Sequence, residues 1–230
     1  MGSRIGRKKL KNRLAERSED LDEILKPGNI VIMTNWDVLL ELYASIHGIR
    51  MRFQLPAAST DDVTLLKLHG GIDWGFRKDV RRAKGQFAPL RERLAPNAKR
   101  LALRSPNEIV RWRSVTSLLK RGRSASRGFH SPLMITMYPG KAAKLGPLLE
   151  IWDDAYRAIS GAQDLAFLGY SLPPDDLQIR SLIVSGIRRG PKEPDPITVR
   201  NPSPEVHYRF RELISREARS DYTAFVAGAS

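Results

Sequence analysis

Cysteine is absent from this chain of 230 residues. That excludes disulfides, thiolate nucleophiles and cysteine-based zinc sites. Long apolar runs are missing as well: no window approaches the roughly 18 consecutive apolar residues that span a bilayer. The opening "MGSRIGRKKLKNRLAERSED" contains no apolar stretch of the kind a secretion signal needs. These absences lead us to expect a soluble, cytoplasmic protein that does not enter a membrane. Acidic residues are comparatively scarce, 25 Asp and Glu against 39 Lys and Arg, for a formal net charge of +14. Such a balance points to a polyanionic partner: nucleic acid, an acidic membrane surface or an acidic protein.

The positive charge is concentrated in two places. One is the leader "RIGRKKLKNR"; the other is the segment 75–131, where the arginines and lysines from Arg77 to Arg127 face only Asp79, Glu92 and Glu108. The length suits one sizeable core, so a single domain with an insertion is favoured over two full domains. The expected organisation is a basic N-terminal leader or helix at 1–27, then an α/β domain at 28–230 carrying a basic, partly helical insertion at 75–131.

Short apolar runs bounded by turn residues predict strands at "NIVIMT" (29–34), "VTLLKLH" (63–69), "PLMIT" (132–136), "DLAFLGY" (164–170) and "PITVRN" (196–201), each short enough to be buried on both faces of a parallel sheet. Helical periodicity fills the gaps in "DVLLELYASIHG", "GKAAKLGPLLEIWDDAYRAISGA", "PDDLQIRSLIVSGIRRG" and "SPEVHYRFRELISREA". Gly48, Gly161 and Gly190 stand where left-handed C-caps are expected, and Ser203 where an N-cap is. The alternation predicts an α/β fold with a Rossmann-like, mostly parallel sheet flanked by helices. Ligands of such sheets bind beyond the carboxyl ends of the strands.

Those strand ends are polar and glycine-rich: "TNWD", "LHGGIDW", "GYSLPPDD" and "RNPSPE". Each has an ordinary reading. Asn35 and Asp37 fit the cap of the following helix, His69 a hydrogen-bonded core histidine, Gly169 and Ser171 a strand exit, and Asn201 before Pro202 a turn. Four polar exits from one parallel sheet would also converge on one crevice, which is the functional reading.

Taken in order, "TNWDVLLE", "KLHGGIDW", "PLMITMYPGK", "IWDDAYRAISGAQDLAFLGYSLPPDDLQIRSLI" and "ITVRNPSPE" resemble the sirtuin-like domains of bacterial NAD-hydrolysing anti-phage systems. The resemblance covers most of residues 28–215 outside the basic segment, and "GYSLPPDD" is its most specific part. It implies hydrolysis of NAD as substrate, with no metal. Asn35 and His69 match the family's catalytic Asn and base. Thr34, Asp37 and Gly70 fall in the same two motifs as nicotinamide and ribose contacts. Gly169, Ser171 and Asp176 lie in the phosphate- and ribose-holding motif, and Asn201 matches the residue at the adenosine ribose. Complete family members begin with a glycine-rich strand and turn that cradles the pyrophosphate; nothing before residue 29 matches it, so the cradle is expected to be lost or supplied by a partner chain or an oligomer.

The residue types suit that chemistry independently. Nicotinamide leaves NAD as a neutral group, so an oxocarbenium-like transition state needs orientation and a base more than a strong acid, and the product is ADP-ribose or its cyclised form. An Asn can orient the ribose or water, and a His can take a hydroxyl proton. The basic segment admits two readings, a solvated charged face or a nucleic-acid surface, the second because Trp74, Phe76, Phe87, Trp112 and Phe129 interleave with its arginines. Two functions therefore stand side by side: an NAD hydrolase, and a domain inactive by itself that binds NAD, ADP-ribose or nucleic acid.

Overall fold

The computed structural model describes residues 18–55, 60–76, 87–90, 109–112, 132–135, 146–191, 194–215 and 222–225. Residues 1–17 of the leader, most of the basic segment and the continuation of "PLMIT" into "MYPGK" lie outside them. The chain divides into two compact units, Met1–Ile151 and Trp152–Ser230. Its fold is mixed α/β, and each unit is described in turn.

In the first unit, helix α1 (Ser18–Ile24) leads into strand β1 (Ile30–Met33), helix α2 (Leu39–His47) and strands β2 (Met51–Arg52) and β3 (Val63–Lys67). These strands form a parallel sheet in the order β1-β3-β2. β3 is central and buried along its whole length, as its unbroken apolar run predicts, whereas β1 lies at an edge and is half-exposed. The buried core of α2 and β3 includes Tyr43, Ala44 and Val63, joined by Leu25 from just after α1; a fully buried side chain such as Val63 or Leu25 contributes about 1.5–3 kcal/mol. Part of the expected leader is thus woven into the core. The Asn29 carboxamide donates to the Glu23 and Ile24 carbonyls at the end of α1, and the Tyr43 hydroxyl donates to Asp22 at 2.7 Å.

The remaining described strands of this unit are antiparallel. β4 (Gly70–Gly71) pairs with β8 (Leu133–Met134), and β5 (Trp74–Phe76), β6 (Phe87–Pro89) and β7 (Ile109–Trp112) form a sheet ordered β5-β7-β6. "PLMIT" was expected as a buried parallel strand; it is a two-residue antiparallel rung with Met134 exposed, because its partner is the Gly70–Gly71 turn rather than a parallel strand. The described residues of the basic insertion lie in strands apart from Leu90, and the helical part expected of it lies outside the described residues.

The second unit begins within helix α3 (Leu149–Ser160), at Trp152, and continues with strand β9 (Leu165–Leu168), helix α4 (Leu177–Arg189), strand β10 (Ile197–Arg200), helix α5 (Pro204–Ser215) and strand β11 (Tyr222–Phe225). Its three strands are parallel in the order β11-β10-β9. Ile197 and Val199 of β10 are fully buried, while edge strand β9 buries alternate residues only partly. Of the expected C-cap glycines, Gly48 closes α2 in the left-handed region at φ 70°, its N–H donating to the Ala44 carbonyl. Gly190 is extended at φ −62° and Gly161 has no positive φ, so these two helices end without a left-handed turn. Among the described residues no helix is long and apolar enough to cross a membrane.

Gly186, buried on α4, marks a close approach to α3: a Cβ there would sit 2.5 Å from Ile159 Cγ2 and 2.7 Å from its Cβ. Ile is β-branched and stiff, so it cannot swing aside. Gly186→Ala gains about 1 kcal/mol in helix propensity but incurs about 1–3 kcal/mol of overpacking. We expect a net loss of stability in thermal or urea unfolding; a more stable variant would show that the two helices separate readily.

Candidate functional site

Where β1 and β3 end, two short segments are locked together. Residues 34–37 carry the chain from β1 to α2, and residues 67–72 carry it out of β3. Three carbonyls of the first segment receive donors from the second. His69 Nδ1 lies 3.2 Å from the Thr34 oxygen, the Ile72 N–H donates to Trp36 at 3.0 Å, and Lys67 Nζ donates to Asp37 at 2.5 Å. The reason is elementary: backbone carbonyls beyond a strand end have lost their ladder partners and must find others when enclosed.

The clamp sorts the predicted residues. Thr34, Asp37, His69 and Gly70 are brought into one cluster, and Asn35 belongs to the same loop but is exposed. His69 is fully buried. Because the Thr34 carbonyl can only accept, Nδ1 carries the hydrogen, and in that tautomer Nε2 is the ring's acceptor nitrogen. The Asp37 carboxylate accepts the Leu39 amide at 3.0 Å, a local turn that satisfies the first N–H of α2; the N-cap position itself is Val38 and has no side-chain cap. Gly70 adopts φ 79°, and a Cβ on it would fall 2.1 Å from the Leu133 carbonyl oxygen, so the turn after His69 requires glycine.

Beneath this loop lies a group that the sequence reading did not single out. Lys67, fully buried at the end of β3, donates to Glu41 Oε1 at 2.7 Å and stands 3.7 Å from Asp73 Oδ1, an ion contact beyond hydrogen-bond reach. The Trp74 ring centroid is 5.9 Å from its Nζ. Glu41 and Asp73 are buried too. Burial pushes both carboxyls above the usual range; for Glu41 the Lys67 ammonium opposes the shift and Asp73 adds to it, and for Asp73 both Lys67 and Arg111 oppose it. The signal available in the sequence was a charged residue inside an apolar run, Lys67 in "VTLLKLH" and Glu41 in "VLLELYA".

In the second unit the exits of β9 and β10 lie side by side, with the Gly169 amide donating to the Arg200 carbonyl at 3.0 Å. Gly169 has φ 67°, and Leu172, fully buried, has φ 48°, a left-handed conformation that is strained for a leucine. Neighbouring bonds hold the loop: the Tyr170 hydroxyl donates to Asp176 at 2.9 Å, and Arg209 donates to the Ser171 carbonyl at 3.2 Å. Burial, and then the Asp176 carboxylate, push the Tyr170 hydroxyl far above its ordinary pKa, so it remains a donor. Ser171 is exposed and Asp176 buried. The Asn201 side-chain oxygen accepts the Ser203 amide at 3.0 Å, and its carbonyl accepts from His207 Nε2 at 2.7 Å. The cap expected of Ser203 is thus preceded by an Asn201 turn, the ordinary reading of that residue.

No family model matches the chain, and no curated protein matches it. The sequence expectation placed four strand exits on one sheet; among the described residues, hydrogen bonding defines two parallel sheets, each presenting two of those exits. Among the described residues, no group of three or more His, Asp or Glu is arranged to hold a metal ion.

The buried cluster makes stability depend on pH. A carboxyl whose pKa is raised by folding holds its proton more firmly in the native state, so its contribution is fullest at acid pH and is lost as pH rises through the folded pKa. Asp73→Asn removes one such carboxyl and leaves Lys67 its hydrogen-bonded partner Glu41. The variant is expected to melt above the wild type near about pH 8, the gap closing towards about pH 4, in circular-dichroism scans. A variant less stable at the higher pH would show that the attraction of Lys67 and Arg111 outweighs burial.

Proposed function

We propose that this chain is a sirtuin-like, Rossmann-like NAD hydrolase of the anti-phage type that breaks the bond between nicotinamide and its ribose. The observation that carries the reading is the His69 Nδ1–H bond to the Thr34 carbonyl, which fixes the tautomer a general base needs. In the reaction the C1′–N bond breaks, nicotinamide leaves as a neutral molecule, water adds to C1′, and its proton passes to His69 Nε2. Asn35, exposed on the clamped loop, orients the ribose or the water; Thr34, Asp37 and Gly70 shape the surrounding loop. Gly169, Ser171, Asp176 and Asn201 are assigned to the phosphates and riboses on the resemblance. The parallel strands linked through α2, α4 and α5 support the Rossmann-like assignment.

A second reading has its own support. His69 has no solvent exposure, and Asp37 Oδ1 and Asn201 Oδ1 each accept one of the chain's own amides. These features suit a domain that binds NAD, ADP-ribose or, through the basic segment 75–131, nucleic acid without turning anything over. Nucleic-acid binding of that kind would weaken steeply with salt and show little sequence preference.

Nicotinamide release from NAD separates the two. His69→Ala is expected to reduce it by about 100-fold to 10,000-fold, Asn35→Ala to be comparably damaging through lost orientation, and Asp37→Asn to be milder and to act mainly on substrate binding. Circular dichroism checks that each variant folds. Unchanged turnover in His69→Ala sinks the catalytic assignment, and NAD binding without release in the wild type favours the second reading.

A further inference from the structure

Lys67 sits where a hydrophobic residue would complete β3 at less cost. Removing an ammonium from water carries a penalty of several kcal/mol, and replacing a buried ion group by apolar side chains is often neutral or stabilising. What an apolar residue cannot do is donate. An ammonium has three N–H groups, and two of them are accounted for by the Asp37 carbonyl at 2.5 Å and Glu41 Oε1 at 2.7 Å. Asp37 immediately precedes the N-cap residue Val38, and Glu41 lies in the first turn of α2. One side chain therefore joins the end of β3, the exit loop of β1 and the start of the following helix. Gly71 makes room for it: a Cβ there would lie 2.7 Å from Asp73 Oδ1 and 3.0 Å from Lys67 Nζ.

We propose that Lys67 is a positioning residue, which pins the Asp37 carbonyl to Glu41 so that Asn35 is presented outward while His69 stays in register on Thr34. Its consequence for catalysis rests on the NAD reading above; its consequence for loop order does not. Charge-assisted hydrogen bonds of this length are among the strong ones. The bond acts on backbone, so the Lys67 contact itself is indifferent to which side chain occupies position 37.

The decisive variant is Lys67→Met combined with Glu41→Gln, which removes the ammonium and its partner charge together, with Gly71→Ala as a second variant that crowds the ammonium and keeps every charge. Two quantities are measured in the full chain. Amide hydrogen exchange at residues 36–39 is expected to quicken about tenfold or more, while Thr64 and Leu66 in β3 keep their protection. In nicotinamide release, kcat is expected to fall about tenfold or more with KM little changed, because an orienting contact is lost rather than a binding one. A variant that folds yet keeps the wild-type exchange at 36–39 overturns the proposal. Should the double variant fail to fold, Gly71→Ala decides by the same criterion. If the wild type releases no nicotinamide, the NAD reading fails by itself and exchange alone decides the role of Lys67.

Discussion

The exit of a parallel strand leaves carbonyl groups that the sheet no longer satisfies, and how they are satisfied governs the first unit. Three donors of different chemistry come from the last residue of β3 and the segment that follows it: an ammonium, an imidazole and a peptide N–H. Each takes one carbonyl of residues 34, 36 and 37. With those oxygens engaged inside, the loop has one path into α2, and Asn35 is left facing solvent. The tautomer of His69 follows from the same bonding, since the Thr34 carbonyl can only accept. The loop's geometry, the turn into α2 and the chemistry available at His69 are therefore one arrangement.

The ion group below the loop is poorly suited to maximise stability. It holds two carboxylates and one lysine, all buried, and only one carboxylate is within hydrogen-bond distance of the ammonium. A core of aliphatic side chains would avoid the desolvation penalty. Such a core could not grip a backbone carbonyl. Stability and placement thus compete at the end of β3, and the residues present there favour placement. The two glycines after His69 serve this end differently: Gly70 admits the close approach of the Leu133 carbonyl, and Gly71 leaves space for Lys67 and Asp73.

The second unit reaches a similar end by other means. Leu172 holds a left-handed conformation that costs a non-glycine residue about 1 kcal/mol or more. It persists because the side chain is buried and the loop is tied at both ends, through Tyr170 to Asp176 and through Ser171 to Arg209. Strand exits tied by side-chain bonds suit an orienting site, and both units have them.

Local signals read well from the sequence. Apolar runs and turn residues located β1, β3, β9 and β10, and helical periodicity located α2, α3, α4 and α5, because period and capping are properties of neighbouring residues. The polar exits that hold the candidate site were visible for the same reason. Pairing and partnership were not. "PLMIT" contains nothing to say that it lies antiparallel to Gly70–Gly71, and the aromatic-basic segment nothing to reveal β5, β6 and β7. Gly161 and Gly190 match the cap pattern of Gly48, yet the direction the chain takes after each helix decides whether a left-handed turn is used. Most plainly, Lys67 meets Glu41 across 26 residues of sequence and the Asp37 carbonyl across 30. Composition and spacing determined that a charge would stand in a buried strand; only the folded chain, by bringing α2 and the end of β3 together, decided what it would hold, because the partner of a buried ion is chosen by distance in space and not along the chain.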